Sequence, residues 1–188
     1  MKVYSYIVAF DYGFSPNPFH GVCTLACCKP AIRRTARVGD LVVGLSRHGE
    51  RVVYAMKVGR VLDFDEYWNA ARYGCKRPRR NSTDPVVRRG DNIYQPWGIG
   101  EFRQLASDHS NSDGTEDLVR KRKDLSGVHV LSAERFGYFV GAGRPLPPDL
   151  AFLKVGRGHK SHLTDEQVAR VARWFAALPQ GIHGLPTL

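Results

Sequence analysis

The sequence predicts an α+β fold: a compact mixed barrel with flanking helices and a C-terminal helix. Three observations predict it. Short apolar runs rich in β-branched and aromatic residues recur along the chain. Clusters of Gly, Pro, Asn and Asp separate them. Helical periodicity is scarce until one strongly capped segment near the end. Helices so few and so placed do not suit a doubly wound sheet. At 188 residues, 43% hydrophobic and 24% charged, the chain suits one domain over residues 1–188 that needs no disulfide or metal to fold.

Residues 3–10 read as a central strand, because both faces are mostly apolar. Residues 11–21 are dense in Gly, Pro and Asn and read as a loop. Cys23 to Arg34 reads as a short helix broken by Pro30. Val38-Gly39-Asp40 is a turn, with a strand over residues 41–45, a second turn at Arg47 to Glu50, and a long return strand from Val52 to Leu62. Asp63 with Glu66 makes a capping box for a short helix through Tyr67 and Trp68. Residues 72–92 and 107–126 read as polar loops. Strands are expected at Val128–Leu131 and Phe136–Val140, followed by a rigid Pro-rich connector at Arg144 to Pro148. Thr164 and Gln167 form a second capping box; Val168, Val171, Ala172, Phe175 and Leu178 then share one helical face, and Pro179 and Gly181 end it.

Lys and Arg number 28 against 18 Asp and Glu, a formal net charge of +10. That excess attracts polyanions. No apolar run approaches the ~18 residues a membrane span needs, and no basic amphipathic helix with a wide apolar face is apparent. The first residues, Met1 to Val8, do not read as a signal peptide. Cys23, Cys27, Cys28 and Cys75 are then expected as reduced thiols in the cytoplasm. They contain no Cys-x-x-Cys pair, so buried thiols are expected rather than a metal site.

Four stretches carry candidate chemistry. In Gly156-Arg157-Gly158-His159-Lys160-Ser161, glycines let backbone N–H groups approach an anion, and Arg157, Lys160 and Ser161 add charge and a hydroxyl. The spacing is not that of a Walker A loop; the plain alternative is a solvated turn. Asn17 and Phe19, with Lys29 and Arg33 nearby, are the residue types that read a base edge, stack on it and hold its backbone; loop aromatics equally plug cores. Trp68, Tyr94 and Trp97 would line a pocket for a planar ring if they converge. Arg72 to Gly90 is strongly basic, a phosphate-tracking surface or a solvated loop. Neither a nucleophile elbow nor a His-Glu-x-x-His motif is present.

Several motifs together resemble a bacterial and phage family called nucleotide modification associated domain, type two. They are Tyr4-Ser5-Tyr6, the Asp11 to Gly21 loop with Asn17 and Phe19, Cys23 to Pro30, Val38-Gly39-Asp40, Tyr54 to Val58, Tyr67-Trp68, Gly90 to Tyr94, Gly156 to Ser161, and Gly181 to Thr187. The resemblance covers nearly the whole chain and is weakest at residues 76–89 and 107–125. It implies association with systems that make, read or restrict modified bases. By analogy of fold it also implies a PUA-like barrel of the EVE, ASCH and YTH kind, in which a flipped base enters an aromatic pocket.

The resulting expectation is a module that binds nucleic acid, DNA before RNA, or a nucleotide, without a cofactor. Gly156 to Ser161 would hold phosphate and Lys29 and Arg33 the strand. Asn17, Phe19, Trp68, Tyr94 and Trp97 would contact the base. The competing expectation is an enzyme acting on a base or nucleotide through His159, Lys160 and Asp91. A scaffold for a partner protein is the third.

Overall fold

The computed structural model describes residues 1–139, 141 and 143–184. Val140, and residues 185–187 of the stretch Gly181 to Thr187, lie outside them. In chain order the strands are β1 (Val3–Ile7), β2 (Cys23–Leu25), β3 (Leu41–Leu45), β4 (Arg51–Lys57), β5 (Arg60–Leu62), β6 (Tyr94–Gly98), β7 (Glu101–Gln104), β8 (Val130–Ala133), β9 (Phe136–Phe139), β10 (Arg144–Pro145), β11 (His159–Lys160) and β12 (Gly181–His183). The α-helices are α1 (Pro30–Thr35), α2 (Phe64–Asn69), α3 (Pro85–Arg88), α4 (Leu118–Leu125) and α5 (Asp165–Ala176), with 3-10 turns at Ala71–Lys76 and Pro148–Leu153.

The large sheet runs β11-β1-β3-β4-β9-β12, with β10 paired to β4. A second sheet runs β2-β8-β5, and among the described residues β6 pairs with β7 alone. The fold is therefore mixed, with helices and several sheets, but the expected barrel does not close among the described residues. The large sheet keeps two distinct edges, β11 and β12, and the smaller sheet stays separate. One cause is visible at the end of β4. Val58 N–H bonds Asp40 O, whereas Gly59 N–H bonds Ser132 O in the other sheet. The stretch expected as one strand from Val52 to Leu62 thus divides into β4 and β5, which serve different sheets.

Because β1 and β3 are parallel, the chain between them must cross over one face of the sheet. That crossover carries β2 and α1. Beneath it, Tyr4, Tyr6, Val42, Tyr54 and Met56 of the large sheet pack against Leu25, Ile32 and Leu131. On the opposite face Val3, Leu41, Val43 and Ala55 meet Val171, Phe175 and Leu178 of the C-terminal segment. The side-chain alternation of each strand thus feeds two cores. A third core lies beyond the small sheet, where Phe14, Cys27, Phe64, Tyr67 and Tyr94 meet.

Both capping boxes form as their sequences predict, at Asp63/Glu66 and Thr164/Gln167. Further expectations fail for tertiary reasons: residues 72–92, expected as a loop, hold most of the 3-10 turn Ala71–Lys76 and α3, with Lys76 buried. Residues 23–25 join the small sheet, so the helix starts only at Pro30. The polar stretch after residue 107 contains α4, whose sequence Leu-Val-Arg-Lys-Arg-Lys-Asp-Leu shows no broad apolar face. Its inward residue is Asp124, 1% exposed.

Candidate functional site

A cleft of about 890 Å³ opens where β1 runs out of the large sheet. One wall is the chain from Tyr6 to Phe14. The second is the turn into α1, Cys28 to Ile32. The third is Asp108, His109 and the inward side of α4, and Gly158 and His159 close the rim. The edge strand β11 brings that rim in by pairing His159 with Tyr6 and Lys160 with Ser5.

The mouth is aromatic. Phe10 and Tyr12 are 65% and 44% exposed, and their rings stack at 6.0 Å with 13° between planes. Arg47 sits over Phe10 at 6.0 Å and Arg89 over Tyr12 at 5.0 Å. Arg89 also donates to the Tyr12 carbonyl at 2.6 Å, so the exposed pair is held from behind. The walls are cationic: Lys29, Arg89, Arg120 and Lys123 line the cleft. Of the acids beside them, Asp108 is paired with Arg80 at 2.8 Å, Asp117 with Arg120 at 3.4 Å, and Asp124 is buried. Lys29 Nζ lies 4.5 Å from the centre of the Tyr6 ring. Burial lowers its pKa, Cys28 opposes that, and Lys123 adds to the lowering. Burial, then Lys29, lowers His159. A site whose own cations repel one another gains when an anion enters.

The floor is a polar cluster. Asp124 accepts from His109 Nδ1 at 2.6 Å, from Tyr94 Oη at 2.8 Å and from the Cys28 N–H at 2.7 Å. His109 Nε2 stands 3.5 Å from Cys28 Sγ. Phe14 packs on the imidazole with ring centres 4.8 Å apart. Gln104 Nε2 donates to the His109 carbonyl at 3.1 Å. Burial alone would lower His109, but the Asp124 bond, the Cys28 contact and their charges outweigh it and raise it to about 9. Asp124 feels burial in the opposite sense, and His109 with its other donors brings its pKa below the usual carboxylate value. Cys27, His109 and Asp124 also place a thiol, a ring nitrogen and a carboxylate oxygen within 4.8 Å. Burial pushes the Cys27 thiol well up, and both Asp124 oxygens already accept donors. The donor set is that of a hydrogen-bonded cluster.

Compared with known families, residues 1–188 match the model described as nucleotide modification associated domain 2. The chain belongs to that family. Neither the curated proteins nor the solved structures contain a match.

In this nucleotide modification associated domain the residues singled out in the sequence separate into three groups. Lys29, Gly158 and His159 line the cleft. Gly156 and Arg157 are exposed and Ser161 half-buried beside it, while Lys160 turns its ammonium onto the Phe152 carbonyl at 2.8 Å. The remainder belong to the framework or stand apart from these walls. Arg33 is fully buried, donating to the carbonyls of Cys28, His129 and Asp124, so it braces the turn and cannot hold a strand. Asn17 is buried, its amide donating to Gly13 and Arg89 carbonyls and its carbonyl accepting from Lys76 at 2.7 Å. Phe19 and Tyr94 are core residues without a face for a base. Asp91 is likewise sealed, accepting from Tyr67 at 2.6 Å and Thr24 at 2.8 Å. Trp68 is stacked under Arg77 at 4.1 Å, and Trp97 is 71% exposed on the β6–β7 hairpin. The two tryptophans and Tyr94 do not line the cleft.

Phe10, Tyr12, Cys28, His109 and Asp124 were not among the expected site residues. The signal for the aromatic pair was Phe-x-Tyr at a strand end entering a Gly/Pro loop. For the polar cluster there was no local signal, because its members lie 81 and 96 residues apart.

Proposed function

We propose that the cleft binds one nucleotide unit of a nucleic acid or a free nucleotide, as part of a base-modification system. The base lies against the stacked Phe10–Tyr12 pair, and its phosphate lies among Lys29, Arg120, Lys123 and the Gly158 backbone. The observation that carries this reading is an exposed aromatic platform and a cationic wall sharing one concavity. The volume falls in the range of small-molecule sites, roughly 300–1,000 Å³. Stacking on aromatics is tolerant of base identity, while cations track the phosphate. The family's association with nucleotide modification supports the same ligand class. A PUA-like mode, in which a base leaves its stack to enter the domain, is part of the proposal, with DNA as the first polymer to test. The central β3–β4 pair is what supports that kinship.

Fluorescence anisotropy with labelled oligonucleotides, bearing ordinary or modified bases, tests it. Replacing Phe10 or Tyr12 with Ala is expected to weaken binding roughly tenfold each. Unchanged affinity in the double variant would remove the base platform from the proposal.

A further inference from the structure

The polar floor of the cleft carries more than binding. We infer that Cys28 is a nucleophile, His109 its general acid–base partner, and Asp124 the residue that positions the imidazole. That an acylated nucleotide is the substrate rests on the reading above; the thiol–imidazole site does not.

Three observations point there independently. Cys28 Sγ and His109 Nε2 are 3.5 Å apart, and His109 Nδ1 and Asp124 are 2.6 Å apart. That is the nucleophile–base–orienter order that covalent catalysis requires. Asp124 accepts at Nδ1, so Nδ1 carries a proton and Nε2 is the nitrogen that exchanges one with sulfur. Next, the thiol is accessible. Cys23 and Cys27 are fully buried, while Cys28 is half-exposed and lines the cleft. Finally, the backbone presents it. Cys28 and Lys29 occupy consecutive left-handed positions, φ 59° and φ 40°, in the tight turn between β2 and α1. Left-handed non-glycine residues cost free energy and persist where the surroundings impose them. Here the surroundings are Asp124 on the Cys28 N–H and Arg33 on the Cys28 carbonyl. Such a strand–turn–helix presentation lifts a nucleophile clear of its neighbours.

The charges facing the pair are unequal. Lys29 and Lys123 face it from α1's start and from α4, and buried Arg33 lies behind; Asp124 is the buried acid, with Asp108 tied to Arg80. That environment suits a step that builds negative charge on sulfur and then on oxygen.

The reaction class that fits is acyl transfer from an amide or ester borne by a nucleotide, with water as final acceptor. In the thiolate–imidazolium form of the pair, with the proton already on His109 Nε2, the sulfur pair forms an S–C bond to the carbonyl carbon and the C=O π pair moves to oxygen. Collapse re-forms C=O and breaks the C–N or C–O bond, and the leaving amine or alcohol takes the proton from His109. Water, deprotonated by His109, then attacks the thioester. The S–C bond breaks, sulfur leaves as the thiolate beside the re-formed imidazolium, and a carboxylic acid departs. No oxidant, reductant or metal enters the balance.

The test uses the full chain, with Cys75 as internal reference because it too is exposed. Iodoacetamide at pH 7 is followed by peptide mass spectrometry, before and after chelator treatment. An unassisted thiol is only a few per cent ionised there, so a His-assisted Cys28 is expected to alkylate about tenfold faster than Cys75. His109→Ala should abolish that advantage without altering the circular-dichroism spectrum, and Asp124→Asn should reduce it. With p-nitrophenyl acetate, the wild-type chain should acquire one acetyl group on Cys28 that turns over. Cys28→Ser should acquire none there, with Cys75 labelling unchanged. Equal alkylation of Cys28 and Cys75 in wild type, or a Cys28 advantage that survives in folded His109→Ala, overturns the thiol site. So does an advantage that appears only after chelation. Should nucleotide binding fail while Cys28 stays fast, the thiol site stands and the acylated nucleotide is struck out as its substrate.

Discussion

His109 is the residue whose surroundings say most about the site. An imidazole 17% exposed would ordinarily be neutral, yet Asp124 on one nitrogen and Cys28 on the other raise it to about 9. A histidine in the unfolded chain titrates near ~6.5. A group raised on folding adds stability that is complete below ~6.5 and is lost as pH climbs to about 9. The amount is on the order of 3 kcal/mol. Lys76 acts in the opposite sense, since burial pulls it to about 8 and relief of its buried charge adds stability above that pH. The informative quantity is thus the difference between wild type and His109→Gln. Urea unfolding from pH 6 to pH 9 is expected to show that difference shrinking as pH rises; a constant difference would disconnect His109 from Asp124. Lys76 itself has a structural task. It donates to Asn17 O, Asn17 Oδ1 and Val22 O at 2.9, 2.7 and 2.6 Å, which fastens the loop that a sequence reader would assign to base recognition.

At the scale of elements, the cleft depends on how segments abut rather than on how well each forms alone. The 3-10 turn ending at Lys76 and the segment leading to β6 cross almost in contact. Asn92 N–H bonds Lys76 O at 3.0 Å, and a Cβ on Gly90 would fall 1.9 Å from that same carbonyl oxygen. No side-chain rotation relieves a clash with backbone. Gly90→Ala is expected to cost about 3 kcal/mol or more, read as a lower urea midpoint. A midpoint within experimental error of wild type would show that the crossing is loose. Gly127 faces a side chain instead: a Cβ there would fall 2.4 Å from the Arg33 guanidinium carbon, a group held by three carbonyls. Both glycines stand where one segment passes another, and the passage at Gly127 lies behind the wall that bears Cys28 and Asp124, through Arg33. The same logic explains α4. Its helix forms with little apolar face because Asp117 caps its N-terminus and Asp124 is fixed from three directions.

For the molecule as a whole, the +10 charge is a statement about encounter and affinity with polyanions. The structure distributes some of that charge inward, because Arg33 and Lys76 are buried. The part that faces the cleft includes Arg120 and Lys123. Nucleic-acid affinity is therefore expected to fall with salt, with a log–log slope that becomes shallower by roughly 1–2 in Arg120→Ala/Lys123→Ala. Anisotropy titrations at four salt concentrations measure this. A slope unchanged in the double variant would place phosphate elsewhere on the surface.

By itself, the sequence determined what depends on neighbours within one turn or one hairpin. The strand character of β1, β3 and β4, both capping boxes, the apolar face of α5 and the positive charge were all legible, because period, cap chemistry and composition are local. Family membership was legible too, since its motifs are contiguous. The tertiary structure alone decided which of two sheets each half of the Val52–Leu62 run would join, that the sheets would not close, and which polar residues would face water. Asn17, Arg33, Tyr94 and Asp91 carry side chains equally suited to ligands and to internal hydrogen bonds, and burial chose the second for all four. Cys28 acquired His109 and Asp124 only when segments 81 and 96 residues away folded onto it. Side-chain chemistry is encoded residue by residue, but the partner that completes it is supplied by packing.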